Sequence, residues 1–158
     1  GRIVGMRSVV FCSSQRFSKE LRDFINRLKE LAMAKNMHIV ILEPEFGDME
    51  AQFTSAMGER ERLENDYYKM TVAGKVYDHL FRKVRIADVC FVFNKDGYLG
   101  VNTTGELFAA AMAGKLCFSL HPKTLMGTYP HDLYDEPSSR KLIHEVIETP
   151  EELLKRLL

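Results

Sequence analysis

Cysteine is scarce in this chain: Cys12, Cys90 and Cys117 are the only three in 158 residues. An odd number does not make a disulfide framework, and no C-x-x-C pair marks a zinc or redox motif. Each thiol falls in or at the end of an apolar run, where cysteine acts as a small buried hydrophobe. The compartment this suggests is the reducing cytoplasm. An excess of one charge is missing too, since 22 Lys and Arg balance 22 Asp and Glu. Without a net field there is no electrostatic footprint for nucleic acid or for an anionic membrane surface. Long apolar runs are absent: Val89 to Phe93 falls far short of the roughly 20 residues that cross a bilayer. No secretory leader pattern is visible. Neither a Walker pattern nor G-x-G-x-x-G occurs, which disfavours P-loop hydrolysis and dinucleotide redox chemistry. The five histidines are scattered without ligand spacing, so no metal and no other cofactor is expected.

What is present is a globular composition, 46% hydrophobic and 28% charged. That suffices for one core and one domain. Gly1 to Gly5 reads as a tag remnant or a disordered start, and 6–158 as the single domain. Apolar runs alternate with helical patterns along it. Ser8 to Cys12 is a β-branched run. Phe17, Leu21, Phe24, Ile25, Leu28 and Ala32 then recur at helical spacing. His38 to Leu42 is a second strand, and Glu45 to Gly58 is ambiguous. Glu59 to Arg85 reads as one long helix. Its stripe of Leu63, Tyr67, Met70, Gly74, Tyr77, Phe81 and Val84 is expected to face the sheet. Tyr68, Val72, Val76 and Leu80 form a second stripe, wider than one core-facing surface needs, which predicts a homodimer or larger homo-oligomer.

Val89 to Phe93 reads as a strand buried on both faces. Thr103 to Ala113 is a helix ended by Gly114, and Leu116 to Leu120 and Ile143 to Ile147 are strands. Thr149-Pro150-Glu151-Glu152 opens a last helix with a capping box. The alternation predicts an α/β fold: a doubly wound five-stranded parallel sheet, flavodoxin/Rossmann-like, in three layers. Ligands of such sheets bind beyond the carboxyl ends of the strands. The loops after the first and third strands are therefore the places to look.

The loop Asn94 to Asn102 runs from a buried strand into a helix N-terminus and carries Gly97 and Gly100. Its free backbone N–H groups suit an anion or a sugar hydroxyl. Glu106 follows one turn into the helix. It has two readings, as the closing residue of a Thr103-x-x-Glu106 capping box or as a carboxylate nucleophile. Ser13, Ser14 and Arg16 could hold a phosphate or simply cap the first helix. Asp78 and Asp96 are the nearby acids. His79 could act as a base, although a lone helix histidine more often packs or is solvated. Asp88 reads as a turn residue at the remote end, and Arg82, Lys83 and Arg85 as a solvated face.

Asp88 to Asn94, Gly97-Tyr98-Leu99-Gly100, Glu106 and Ala109 to Lys115 together resemble the nucleoside 2-deoxyribosyltransferase superfamily. Phe11 to Arg16 is similar to the first-strand loop of the related 2′-deoxynucleoside 5′-monophosphate N-glycosidases. The resemblance implies cleavage or transfer at the N-glycosidic bond of a (deoxy)nucleoside or its monophosphate. It implies Glu106 as nucleophile, a covalent glycosyl-enzyme, and Asp96 or Asp78 as the assisting acid. Ser13, Ser14, Arg16, Gly97, Tyr98, Gly100 and Asn102 would bind substrate. The family's tyrosine at the end of the first strand is matched here by Val10, which leaves Tyr98 as a replacement. The alternative is a non-catalytic nucleotide-binding sensor domain in which Glu106 only caps its helix. A purely structural subunit would leave the glycine-rich loop without a reason.

Overall fold

In the computed structural model, residues 7–46 and 64–158 are described. Strand β3 (Val89–Val92) takes the centre of a five-stranded parallel sheet with β1 (Arg7–Cys12), β2 (Ile39–Leu42), β4 (Leu116–Ser119) and β7 (Glu145–Val146). The order is β2-β1-β3-β4-β7, the flavodoxin-like winding expected of the alternation. A short antiparallel pair, β5 (Leu125–Met126) and β6 (Tyr134–Asp135), lies in what the sequence presented as loop. Two-residue strands carry too little periodicity to be seen in advance.

Alternation along the strands makes two apolar layers. Val9 and Phe11 of β1, Val89 and Phe91 of β3 and Phe118 of β4 face helices α1 (Ser18–Ala34) and α5 (Pro150–Arg156). Phe11, Phe24, Phe91 and Phe93 stack there with ring centroids 5.2–6.0 Å apart. Val10, Cys12, Cys90, Val92 and Cys117 face the other way, toward Leu107 and Ala110 of helix α3 (Val101–Met112). Every residue of β3 is buried, as the unbroken run required. Gly114, at φ +79°, ends α3. A five-residue helix, α4 (Pro137–Lys141), supplies the crossover to β7. The Thr149 hydroxyl accepts from the Glu152 N–H at 3.2 Å, so the last cap forms as read. At the amino ends, Ser8 donates through both N–H and Oγ to Asp88 Oδ2, tying β1 to β3.

The long helix departs from expectation. Helix α2 covers Asp66–His79, with Asn65 as its N-cap. Glu59 to Leu63 lie outside the described residues, as does the segment Gly47 to Gly58. The stripe expected to face the sheet does so only at Val84, which is buried; Tyr67, Met70 and Tyr77 are 57%, 75% and 62% exposed. Within α2 only His79 is buried. Tyr68, Val72, Val76 and Leu80 instead line a shallow apolar groove together with Phe81 and Asn102. The cause is local. Leu80–Val84 form a π-turn in which the Arg85 N–H donates to Leu80 O at 3.0 Å, five residues back. That wider turn breaks the 3.6-residue phase on which the stripe was counted.

Candidate active site

Cys12 ends β1 on the α3 side of the sheet, and the ladder continues past it through the Phe93 N–H to Cys12 O at 2.8 Å. Helix α3 begins at Val101 with Gly100 as N-cap, two residues before the predicted start. This corrects the capping-box reading. Thr103 is already inside the helix, so the Glu106 side chain is too far along to cap its end. Glu106 points inward and is only 8% exposed. His79, at the end of α2, reaches the same place and is 6% exposed.

Glu106 Oε2 lies 3.1 Å from His79 Nε2, and that nitrogen lies 3.6 Å from Cys12 Sγ. Glu106 Oε2 and His79 Nδ1 are buried with no hydrogen-bond partner among the described residues. The His79–Glu106 contact is therefore close but not aligned as a hydrogen bond. Cys12 Sγ also sits 3.8 Å from Cys90 Sγ. That hydrogen bond pulls the Cys12 thiol down, but burial and the Glu106 carboxylate prevail and push it to about 12. Cys12 is thus a protonated, unreactive thiol rather than a nucleophile.

The remaining predicted residues separate into groups. Asp78 is half-exposed and 3.7 Å from Arg82 on the outer face of α2, so the structure does not bring it to Glu106. His79, one residue on, occupies that place. Asp96 is exposed on the short 3-10 turn Lys95–Gly97, with φ +58° and its N–H donating to His121 Nδ1 at 2.9 Å. Gly97 has φ +89°, and a Cβ there would stand 2.8 Å from Lys123 Cβ. The turn needs this glycine for its own packing, whatever a ligand requires. Asn102 is exposed at the rim of the α2–α3 groove, one helical turn before Glu106 on the same face. Gly100 is the N-cap, 3.8 Å from the Tyr98 hydroxyl at its Cβ position.

Tyr98 does not stand in for the tyrosine missing at Val10. Its ring packs with Phe17 and Tyr129 on the α1 side of the sheet, whereas Glu106 meets His79 and Cys12 on the other. Ser14 caps the 3-10 turn Gln15–Phe17, its Oγ accepting from the Arg16 N–H at 3.4 Å. Ser13 Oγ donates to Phe93 O at 3.3 Å. The exposed Arg16 lays its guanidinium over Tyr98 and Tyr129, at 5.1 and 5.0 Å from the ring centroids. The loop is held by Asn94, which the sequence presented only as a loop start. Its Nδ2 donates to His121 O and Lys123 O, and its Oδ1 accepts from the N–H groups of Leu120 and His121.

No family model and no curated relative matches the chain. Among solved structures it is similar to a conserved protein from Enterococcus faecalis V583, at 14% identity and a TM-score of 0.53, over 96% of this chain and 97% of that one. It is also similar to a 2-deoxyribosyltransferase from the psychrotolerant bacterium Bacillus psychrosaccharolyticus, at 14% identity and a TM-score of 0.48, over 92% and 89%. At such identities the likeness is one of fold: the chain is a Rossmann-like α/β domain.

Proposed function

We propose that this chain cleaves or transfers at the N-glycosidic bond of a (deoxy)nucleoside or nucleoside 5′-monophosphate, with Glu106 as the nucleophile. The observation that carries the reading is the inward-facing Glu106 carboxylate beyond the carboxyl ends of β1 and β3. The sequence resemblance supplies the chemistry. A Glu106 oxygen attacks C1′ as the C1′–N bond breaks, and the bond pair leaves with the base. A proton reaches the base from an acid at the loop mouth, a role that falls to Asp96 because Asp78 faces away. Water or a second base then attacks C1′ and frees the carboxylate. This parallels retaining glycoside hydrolysis. His79 sits beside the Glu106 carboxylate, 3.1 Å away, and when protonated would favour the carboxylate's ionised form.

Arg16 is the proposed phosphate reader. Stacking on Tyr98 and Tyr129 fixes the plane of its fork, and a planar fork suits phosphate. Ser13, Ser14, Tyr98 and Gly100 border it, and Asn102 faces the groove in which a base would lie against Val72 and Val76. The outer stripe of α2, with Tyr67, Met70 and Tyr77, is the proposed homo-oligomer contact. Among the described residues no helix is long and apolar enough to cross a membrane. A cytoplasmic location, with no nucleic-acid partner, is part of the proposal.

A second reading, a nucleotide-binding sensor without turnover, is favoured by the closure of Cys12 and His79 around Glu106. Incubation with a panel of nucleosides and 5′-monophosphates, read by chromatographic release of free base, separates the two. Release from any member supports the enzyme. Calorimetric binding without release supports the sensor.

A further inference from the structure

We propose that Cys12, His79 and Glu106 form a three-ligand site for a thiophilic divalent cation of the zinc class. All three side chains are buried, and one donor atom of each lies within 4.8 Å of the other two. The spacings fit a shared ion. With metal bonds of about 2.3 Å to sulfur and about 2.0–2.1 Å to nitrogen and oxygen, a tetrahedron has S···N edges of roughly 3.5–3.6 Å and N···O edges of roughly 3.3 Å. The observed edges are 3.6 Å from Cys12 Sγ to His79 Nε2 and 3.1 Å from that nitrogen to Glu106 Oε2.

A second observation points the same way. Glu106 Oε2 is buried without a hydrogen-bond partner among the described residues, and it faces His79 and Cys12. A buried carboxylate oxygen in that condition calls for a donor or a cation. A cation between the three atoms would satisfy the Glu106 oxygen while taking His79 Nε2 and Cys12 Sγ as its other ligands. The donor set decides its class. One sulfur and one imidazole nitrogen among three ligands select zinc-like ions over magnesium or calcium, which take oxygen. Three protein ligands also leave a fourth position for water or a substrate atom. On binding, the Cys12 S–H bond breaks, the S–metal bond forms, and the proton passes to the buffer. The site does not depend on the glycosidic reading, and metal is titrated without nucleoside so that the two can fail separately.

The test is a titration of the reduced, chelator-stripped protein with Co²⁺, read by absorption. The expected result is a thiolate-to-metal charge-transfer band with tetrahedral visible bands, saturating at one equivalent and bleached by Zn²⁺. One proton per ion should be released. Cys12→Ser should lose the charge-transfer band, while Cys90→Ser and Cys117→Ser keep it. His79→Gln and Glu106→Gln should weaken binding by at least about tenfold. The wild-type titration decides even where a variant fails to fold. No band at several equivalents of Co²⁺ overturns the proposal. So does a band retained in Cys12→Ser, or one that His79→Gln and Glu106→Gln leave unchanged.

Discussion

Raising the pH should unfold this protein through its thiols. Cys12, Cys90 and Cys117 stand on one face of three adjacent strands, and all three are buried. The hydrogen bond to Cys90 pulls Cys12 down, yet burial and Glu106 lift it from 9.0 to about 12. For Cys90 the Cys117 hydrogen bond lowers and the Cys12 hydrogen bond and burial raise, ending well above 9.0. Cys117 is raised by its hydrogen bond to Cys90 and by burial. The folded state thus holds protons that the unfolded chain releases. Stability from a raised group is complete below the unfolded value and is lost as pH climbs from it toward the folded one. The window opens near 9.0 and closes for Cys12 near 12. At pH 10 holding the three thiols protonated would cost a few kcal/mol in all, on the order of one for each pH unit above 9.0 per thiol. That is a large part of an ordinary domain's stability. The assay is urea unfolding from pH 7 to 10, with reductant and chelator, on wild type and on Cys12→Ala/Cys90→Ala/Cys117→Ala. Tyrosine and lysine titrate in both, so the difference in slope isolates the thiols. Equal slopes would refute the claim that the native thiols stay protonated.

Asn94→Ala should cost roughly 2–3 kcal/mol in urea unfolding, because it strips the buried Leu120 N–H and the part-buried His121 N–H of their acceptor; a loss below about 1 kcal/mol would show that water replaces it. Arg16→Ala should weaken binding of a 5′-monophosphate by about 1.5–3 kcal/mol and of the free nucleoside by much less. Equal losses in calorimetry would remove Arg16 as the phosphate reader. Met70→Glu with Tyr77→Glu should turn an oligomer into an 18.2 kDa monomer by light scattering. A wild type already at that mass would sink the oligomer.

The winding of the sheet was legible because its signals are local. Val89 to Phe93 reads as a doubly buried strand and Thr149-Pro150 as a helix start, and the structure has both. The site was harder to see for a geometric reason. Cys12 and His79 are 67 residues apart, and no spacing rule links a strand end to a helix end. Cys12 looked like filler, and by chemistry it is a buried thiol, yet its position gives it a second meaning. The π-turn at Leu80–Val84 decided between Asp78 and His79. A stripe counted at 3.6 residues through that turn runs out of phase, which also put Tyr67 and Tyr77 on the wrong face. The capping-box reading of Glu106 fails because α3 starts three residues too early for Thr103 to be its cap.

The proposed chemistry turns on one carboxylate. Glu106→Gln keeps the size and shape of the side chain but makes a poor nucleophile. Base release from whichever nucleoside or 5′-monophosphate the wild type consumes, followed in the purified variant with its circular dichroism and melting temperature, tests that claim most directly. Turnover should fall on the order of 10³-fold or more with the fold retained. Turnover at the wild-type rate in a folded Glu106→Gln protein would contradict it.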